Sequence, residues 1–323
     1  MVARVVIRTK VFAAALALDI VLGDPPEFPH PVEAIGAAID CCDRFASARS
    51  IREHPLFGRI AGVVTTLAIV GASYGIAAAL VRRTGRACTA IEILLAASTL
   101  AWRSLIAEAK SVESALAAGD LERARRRLAR IVGRDTQDLS EAEIVRATIE
   151  TLAESLCDGI VAPLCYLALG GVPLALAYKA TNTLDSTIGH IEAPYRDFGW
   201  CAARLDDVAN FVPARLSALA IAAAARIAGA DSSRSLRTCV RDARLHRSPN
   251  AGWPEAALAG ALGVRLGGCN TYGGVAVWGA VLAAEGRVPE LRDLQRARMV
   301  ITIAAAAIAL SALVVLGVRD VRR

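Results

Sequence analysis

Charge is scarce in this sequence. Only 21% of the 323 residues are Asp, Glu, Lys or Arg, and from Ile60 to Val81 there are none. Aromatic residues make up 5%. The aromatic-basic interleaving of a nucleic-acid platform is therefore missing, and no nucleic-acid partner is expected. The 8 cysteines form no CxxC pair, which argues against a zinc site or a disulfide framework. They read as small buried hydrophobes in a reducing compartment. There is no GxxxxGK[ST], GxSxG or HExxH, so any nucleotide is held without a Walker loop and no lone nucleophile stands out. No solenoid-period repeat, low-complexity tract or flexible linker occurs.

What fills the chain instead is apolar. The AVILMFWYC fraction is 55% and the mean hydropathy is +0.44, beyond an ordinary soluble domain. Ile60–Val81 spans roughly 33 Å as a helix, enough for a bilayer core. Met299–Val318 is a second uncharged run, and Gly159–Ala177 a third, interrupted by Pro163 and Pro173. Val11–Leu22 and Ala87–Ala101 are shorter, carrying Asp19 and Glu92; Asn210–Ala230 is broken by Arg215 and Arg226. The expected fold class is all-α. It is a polytopic helical membrane protein with about five or six segments, forming one integral-membrane domain over 1–323. Helical loop regions at 102–158 and 231–298 are expected to contribute to a site. Gly71 and Gly75 make a GxxxG, expected to mark helix packing. Arg4, Arg8 and Lys10 before an apolar run imitate a signal peptide, but Asp19 and the following "GDPPEFPHP" argue against cleavage. The net charge of +6 suits anionic lipid or phosphorylated substrates.

Polar groups gather beside the apolar runs. Glu150, Glu154 and Asp158 are four apart, so a regular helix lines them on one face. A solvated face tolerates their mutual repulsion. At a low-dielectric boundary they would want a cation, and magnesium with substrate phosphates fits. In "YKATNTLDSTIGH", Lys179, Asn182 and Ser186 share a helical face with Asp185 beside it. This is either a phosphate site or a helix end with a snorkelling lysine. "CAARLDDVANFVPARL" spaces Arg204 with Asp207 and Asp206 with Asn210. It also sets Arg215 in an apolar stretch, where it requires a partner or a polar cavity. "RLHRSPNAGWPE" crowds His246, Arg247, Ser248 and Asn250 before a helix opened by Pro254 and Glu255. That suits an anion at a helix N-terminus, or equally a plain capped loop.

Six ordered stretches carry a resemblance. "DPPEFPHPVEAIG", "GRDT", "ETLAESLCDGIVAPL", "GGVPLALAYKATNTLDSTIGH", "FGWCAARLDDVANFVPARL" and "SPNAGWPEAALAGALGVRLGG" together cover about Leu18 to Tyr272. They resemble the cobinamide-phosphate synthase family, integral-membrane enzymes of late cobalamin biosynthesis. The resemblance implies amidation of a propionate of adenosylcobyric acid with 1-amino-2-propanol or its O-phosphate, using ATP and magnesium. It implies an inner-membrane enzyme with its site facing the cytoplasm, beside other late corrin-assembly enzymes.

On that reading Glu154 and Asp158, with Glu150, hold magnesium. Lys179 and Arg204 contact phosphates, and Arg134, Asn182, Ser186, Asn210, Arg215, Ser248, Asn250 and Glu255 complete the binding set. Asp185, Asp206 or Asp207 takes the amine's proton or holds a second metal, while Asp24 and His30 orient substrate or supply a base. One departure stands out: where the family reads Glu-Asn, this chain has Glu154–Ser155. If every segment crosses fully, "YKATNTLDS" falls opposite "GDPPEFPHP", so Gly159–Ala177 is expected to be re-entrant or buried in protein. The rival classes are a transporter with intramembrane carboxylates as ion sites and a non-catalytic scaffold for corrin enzymes.

Overall fold

The computed structural model describes residues 7–23, 30–82, 86–190 and 194–322. Thirteen α-helices and one β-hairpin are found among them. The chain is a helical membrane protein. Four helical stretches are long and apolar enough to cross a bilayer: Pro55–Val81, Cys88–Ala117, Glu141–Ile188 and Leu291–Val321. A bent pair, Trp200–Ala209 and Phe211–Ile227, meeting at 46°, makes up to five. The Val11–Leu22 candidate becomes α1 (Thr9–Leu22), whose 14 residues reach only about 21 Å. It is too short to span.

The chain divides into two compact units. The first contains residues 1–101, 162–210 and 311–323. Its elements are α1, α2 (Pro31–Ala48), α3 (Pro55–Val81), α4 (Arg86–Ala97), α8 (Ala162–Ile188) and α9 (Trp200–Ala209). Helix α2 starts where Pro31 can occupy the first turn without losing a hydrogen bond. His30 caps it, its Nδ1 accepting from Val32 N at 3.3 Å. Ile39, Ile69, Leu184, Ile188 and Phe198 form a shared core.

The GxxxG expectation needs correcting. Gly71 and Gly75 meet no described neighbour within 4 Å. The close approach is at Gly62, where a Cβ would fall 1.8 Å from the Phe198 carbonyl oxygen. The glycine spacing that matters is thus one helical turn after Gly58.

Helix α8 contains Pro173, with Gly171 at φ 66° just before it. Proline lacks the N–H that would continue the ladder and clashes with the preceding turn, so the helix kinks there. The apolar window of the Glu141–Ile188 stretch is 67% buried, against 22–33% for the other three. The expectation that Gly159–Ala177 is buried in protein agrees with this burial.

The second unit contains residues 102–161 and 211–310. Helices α5 (Trp102–Ala117), α6 (Leu121–Leu128) and α7 (Glu141–Leu156) come first. Helix α7 opens with a complete capping box, as the Ser140/Glu143 spacing requires. Then come α10 (Phe211–Ile227), α11 (Ser232–Asp242) and α12 (Gly252–Leu262), which pack on one another. Region 231–298 is not wholly helical as expected. Strands β1 (Leu266–Tyr272) and β2 (Val275–Leu282) pair antiparallel across Gly273-Gly274. Both glycines have positive φ, the conformation a two-residue hairpin turn demands. Helix α13 (Leu291–Val321) completes the chain.

Candidate functional site

A charge cluster in the second unit is built from α7, the loop before it, the hairpin and α12. Glu150 is its centre, with 7% of its side chain exposed. Its Oε2 lies 2.7 Å from Arg134. Its Oε1 accepts from Arg146 at 3.1 Å and from Gly267 N at 2.7 Å. Arg146 is one helical turn before Glu150, so the pair forms within α7. Its other bonds run to the hairpin: Gly267 O at 2.8 Å, Cys269 O at 3.1 Å and Asn270 Oδ1 at 2.9 Å. Arg134 shares that Asn270 oxygen at 2.9 Å. Two further carboxylates hold the hairpin. Asp135 accepts from Gly273 N and Gly274 N at the turn, and Asp242 accepts from Ala283 N at the base.

Glu255, on the first turn of α12, is buried, and His246 Nε2 lies 3.8 Å from its Oε1. Burial pushes the Glu255 carboxyl well above the usual range; Glu150 and Glu154 push it further, and Arg134 and Arg146 oppose them. Burial and its acidic neighbours therefore favour the protonated form of Glu255. Burial also holds His246 below its ordinary value. Glu154 is exposed, and its electrostatic neighbours are Arg134 and Glu150.

Glu150, Glu154 and Asp158 were expected on one regular helical face. Glu150 and Glu154 are, but a π-helical turn at Cys157–Val161 breaks the register at Asp158. Single π turns are frequent at functional sites. Both oxygens of Glu150 are engaged, so a cation there would have to displace an arginine. Among the described residues no group of three or more His, Cys, Asp or Glu stands ready for a metal.

Arg215 has the partners its apolar setting requires. It donates to Asn250 Oδ1 at 2.7 Å, Phe211 O at 2.8 Å and Pro249 O at 3.2 Å. Its guanidinium lies over Phe211 and Trp253, 3.8 and 4.5 Å from the ring centroids. Ser248 Oγ accepts from Asn250 N and Ala251 N, each at 3.2 Å. In this structure Arg215, Ser248 and Asn250 fix the loop that opens α12.

The first unit holds the other expected residues. Tyr178 donates to Asn210 Oδ1 at 2.9 Å, and Asn210 Nδ2 donates to Asp206 Oδ2 at 2.9 Å. Asn182 Nδ2 lies 3.5 Å from Asp206 Oδ1. Tyr166 stacks on Tyr178 at 4.9 Å. Asp206 is thus buried with its oxygens facing two amides. Lys179 and Asp185 are half-buried on α8 and Ser186 is exposed. Arg204 is paired with Asp207 at 2.9 Å on the surface of α9. Asp24 lies outside the described residues.

Sequence reasoning missed Arg146, Asn270, Asp135, Tyr166 and Tyr178 as members. Arg146 carried a signal, its i,i+4 spacing to Glu150; Asn270 carried none before the hairpin was known.

The comparisons agree on one family. The model described as "CobD/Cbib protein" matches residues 12–301. A Geobacter metallireducens protein, "Cobalamin biosynthesis protein CobD", is 47% identical over 268 residues, 82% of this chain and 83% of its own length. A Klebsiella pneumoniae protein of the same description is 46% identical over 267 residues, 81% and 83% of the two chains. "Cobalamin biosynthesis protein CbiB" of Salmonella typhimurium is 45% identical over 264 residues, 80% and 82%. No solved structure matches the chain. With a family model matched across most of its length and relatives at this identity, the chain belongs to the CobD/CbiB protein family.

Proposed function

We propose that the protein acts in cobalamin biosynthesis as an ATP-dependent amide ligase. It would join 1-amino-2-propanol O-2-phosphate, or free aminopropanol, to a propionate of adenosylcobyric acid, in the inner membrane with its site facing the cytoplasm. The observation that carries the reading is the cluster of Arg134, Arg146, Glu150, Glu154 and Glu255. Arg134, held by Glu150 and Asn270, is a pre-oriented donor for phosphate oxygens, while Arg146, its terminal nitrogens committed to Glu150 and the hairpin, keeps that carboxylate in place. Carboxylic and phosphoryl groups are the anions such a ligase handles.

ATP supplies the phosphoryl group that makes the propionate an acyl donor: the carboxylate oxygen attacks the γ-phosphorus and ADP leaves. The amine nitrogen then attacks the acyl carbon, phosphate leaves, and the ammonium's proton passes to a carboxylate. The chain's residues supply position and charge. Arg134 stays fixed by Glu150 and Asn270 while its remaining N–H groups face a phosphate. Magnesium would be held by one or two carboxylates and would neutralise phosphate charge. Exposed Glu154 and half-buried Asp158 at the π turn fit that modest donor set. Glu255, whose burial favours the protonated form, would avoid adding a third negative charge. In the first unit, Lys179 would meet a phosphate, and Asp185 or Asp207 would take the proton; Asp206 holds Asn182 and Asn210 in place.

The test is turnover by Glu154→Gln and Asp158→Asn. Each is expected to lose activity at least about a hundredfold while remaining folded in membranes. Near-normal turnover in both would remove the magnesium assignment.

A further inference from the structure

The most concentrated positive charge lies outside this cluster, on α6. Arg123, Arg126, Arg127 and Arg130 line a groove of about 420 Å³. The spacing of three and four residues puts Arg123, Arg126 and Arg127 on one face of α6, and Arg130 follows two residues past its end. The acids nearby are already engaged. Asp120 caps the helix through Arg123 N at 2.8 Å, and Glu122 pairs with Arg125 at 2.6 Å. Glu108 pairs with Arg130 at 2.8 Å. Among the described residues, Arg123, Arg126 and Arg127 have no ion-pair partner. Like charges at this spacing repel each other. A surface chosen only for solubility would intersperse acids among them, as the rest of the helix does. Converging guanidinium forks match phosphate oxygens in geometry as well as in charge.

The position of the groove selects the phosphate. The apolar part of the candidate span Cys88–Ala117 ends ahead of Glu108, and the groove's Arg130 pairs with that residue. A basic groove beside the end of a span's apolar part sits at headgroup depth, where anionic lipids attract each arginine. We propose that α6 is a headgroup clamp. Its arginine groove binds the phosphates of anionic phospholipids and fixes this part of the second unit against the membrane surface. This inference rests on the membrane reading alone and is independent of the proposed chemistry.

The experiment uses the full chain, extracted with mixed phosphatidylglycerol and phosphatidylcholine. Retained lipids are counted by mass spectrometry, for wild type and for Arg123→Gln/Arg126→Gln/Arg127→Gln. Wild type is expected to enrich phosphatidylglycerol, and the variant to lose about tenfold or more of that preference. Glutamine keeps helix propensity and removes repulsion, so an unchanged melting temperature in phosphatidylcholine nanodiscs is expected. A parallel arm measures ATP binding by equilibrium dialysis. Equal enrichment in both proteins, or no enrichment in wild type, overturns the proposal. So does loss of ATP binding with lipid preference intact, which would make the groove a soluble-phosphate site. If the variant does not fold, wild type decides alone: its enrichment must fall several-fold between about 0.05 and 0.5 M salt, and a salt-independent preference overturns the clamp.

Discussion

Replacing Glu150 with glutamine separates a structural keystone from a metal ligand. The carboxylate takes charge-assisted bonds from Arg134 and Arg146 and one from the Gly267 amide. The arginine side chains are only 12% and 11% exposed. Removing one partner of a buried ion pair costs about 3–5 kcal/mol, because the remaining charge is left uncompensated. Both arginines keep Asn270 Oδ1, and Arg146 keeps two carbonyls, so the lower end applies: about 3 kcal/mol. Glutamine is nearly isosteric, so packing is held constant. The assay is denaturant unfolding of the purified chain in mild detergent without magnesium. Hydrogen exchange should show early opening at residues 267–270. Adding Arg134→Met to Glu150→Gln should recover part of the loss, the signature of coupling. A change below about 0.5 kcal/mol without magnesium, with no effect on hairpin exchange, would refute the keystone role. Glu150 would then be assigned to a ligand instead.

Glu255 gives a pH prediction. Its folded value lies above the ordinary 4.5, so its contribution to stability is full below that pH and falls as pH rises toward the folded value. His246 lies below 6.5 in the fold, so its contribution is present above 6.5 and is lost as pH falls through the folded value. Glu255→Gln should therefore flatten the decline of the melting temperature as pH rises above 4.5; an unchanged decline would contradict the raised carboxyl. Lys179→Met keeps the apolar stem and deletes the charge. If the lysine holds a phosphate, kcat/KM should fall roughly 10- to 150-fold, a charge-assisted bond being about 1.5–3 kcal/mol. A KM rise confined to ATP or to the amine names the ligand, and unchanged kinetics assign Lys179 to the membrane interface.

Much of the fold was legible because membrane segments are long, uncharged and self-contained in hydrogen bonding. Ile60–Val81 and Met299–Val318 could hardly be anything else. The hairpin was missed although Gly273-Gly274, between "CNTY" and "VAVW", is a two-residue turn signal; the surrounding apolar and small residues suited a helix equally well. The π turn at Cys157 left no mark in composition, and it upset the four-residue spacing that placed Asp158. The acidic and basic members of the candidate site stood out because charge is rare here. Their partners did not. Arg215 required an explanation, but the loop carrying Asn250 and Trp253 became its neighbour only through the packing of α10 on α12. Glu150 looked like a ligand because Arg134 and the Gly267 amide reach it from outside α7, and the i,i+4 spacing to Arg146 was passed over.

Amide ligation is tested most directly by reconstitution. Purified protein is incubated with adenosylcobyric acid, ATP, magnesium and aminopropanol phosphate, and the corrinoid is read by mass spectrometry. The expected result is a single product heavier by the amine less one water, formed with one ATP cleaved per amide and absent when ATP or magnesium is withheld. Free aminopropanol in a parallel reaction shows which amine is preferred. Corrinoid bound without turnover, or substrate crossing proteoliposomes without ATP cleavage, would contradict the ligase and make the protein a scaffold or a transporter.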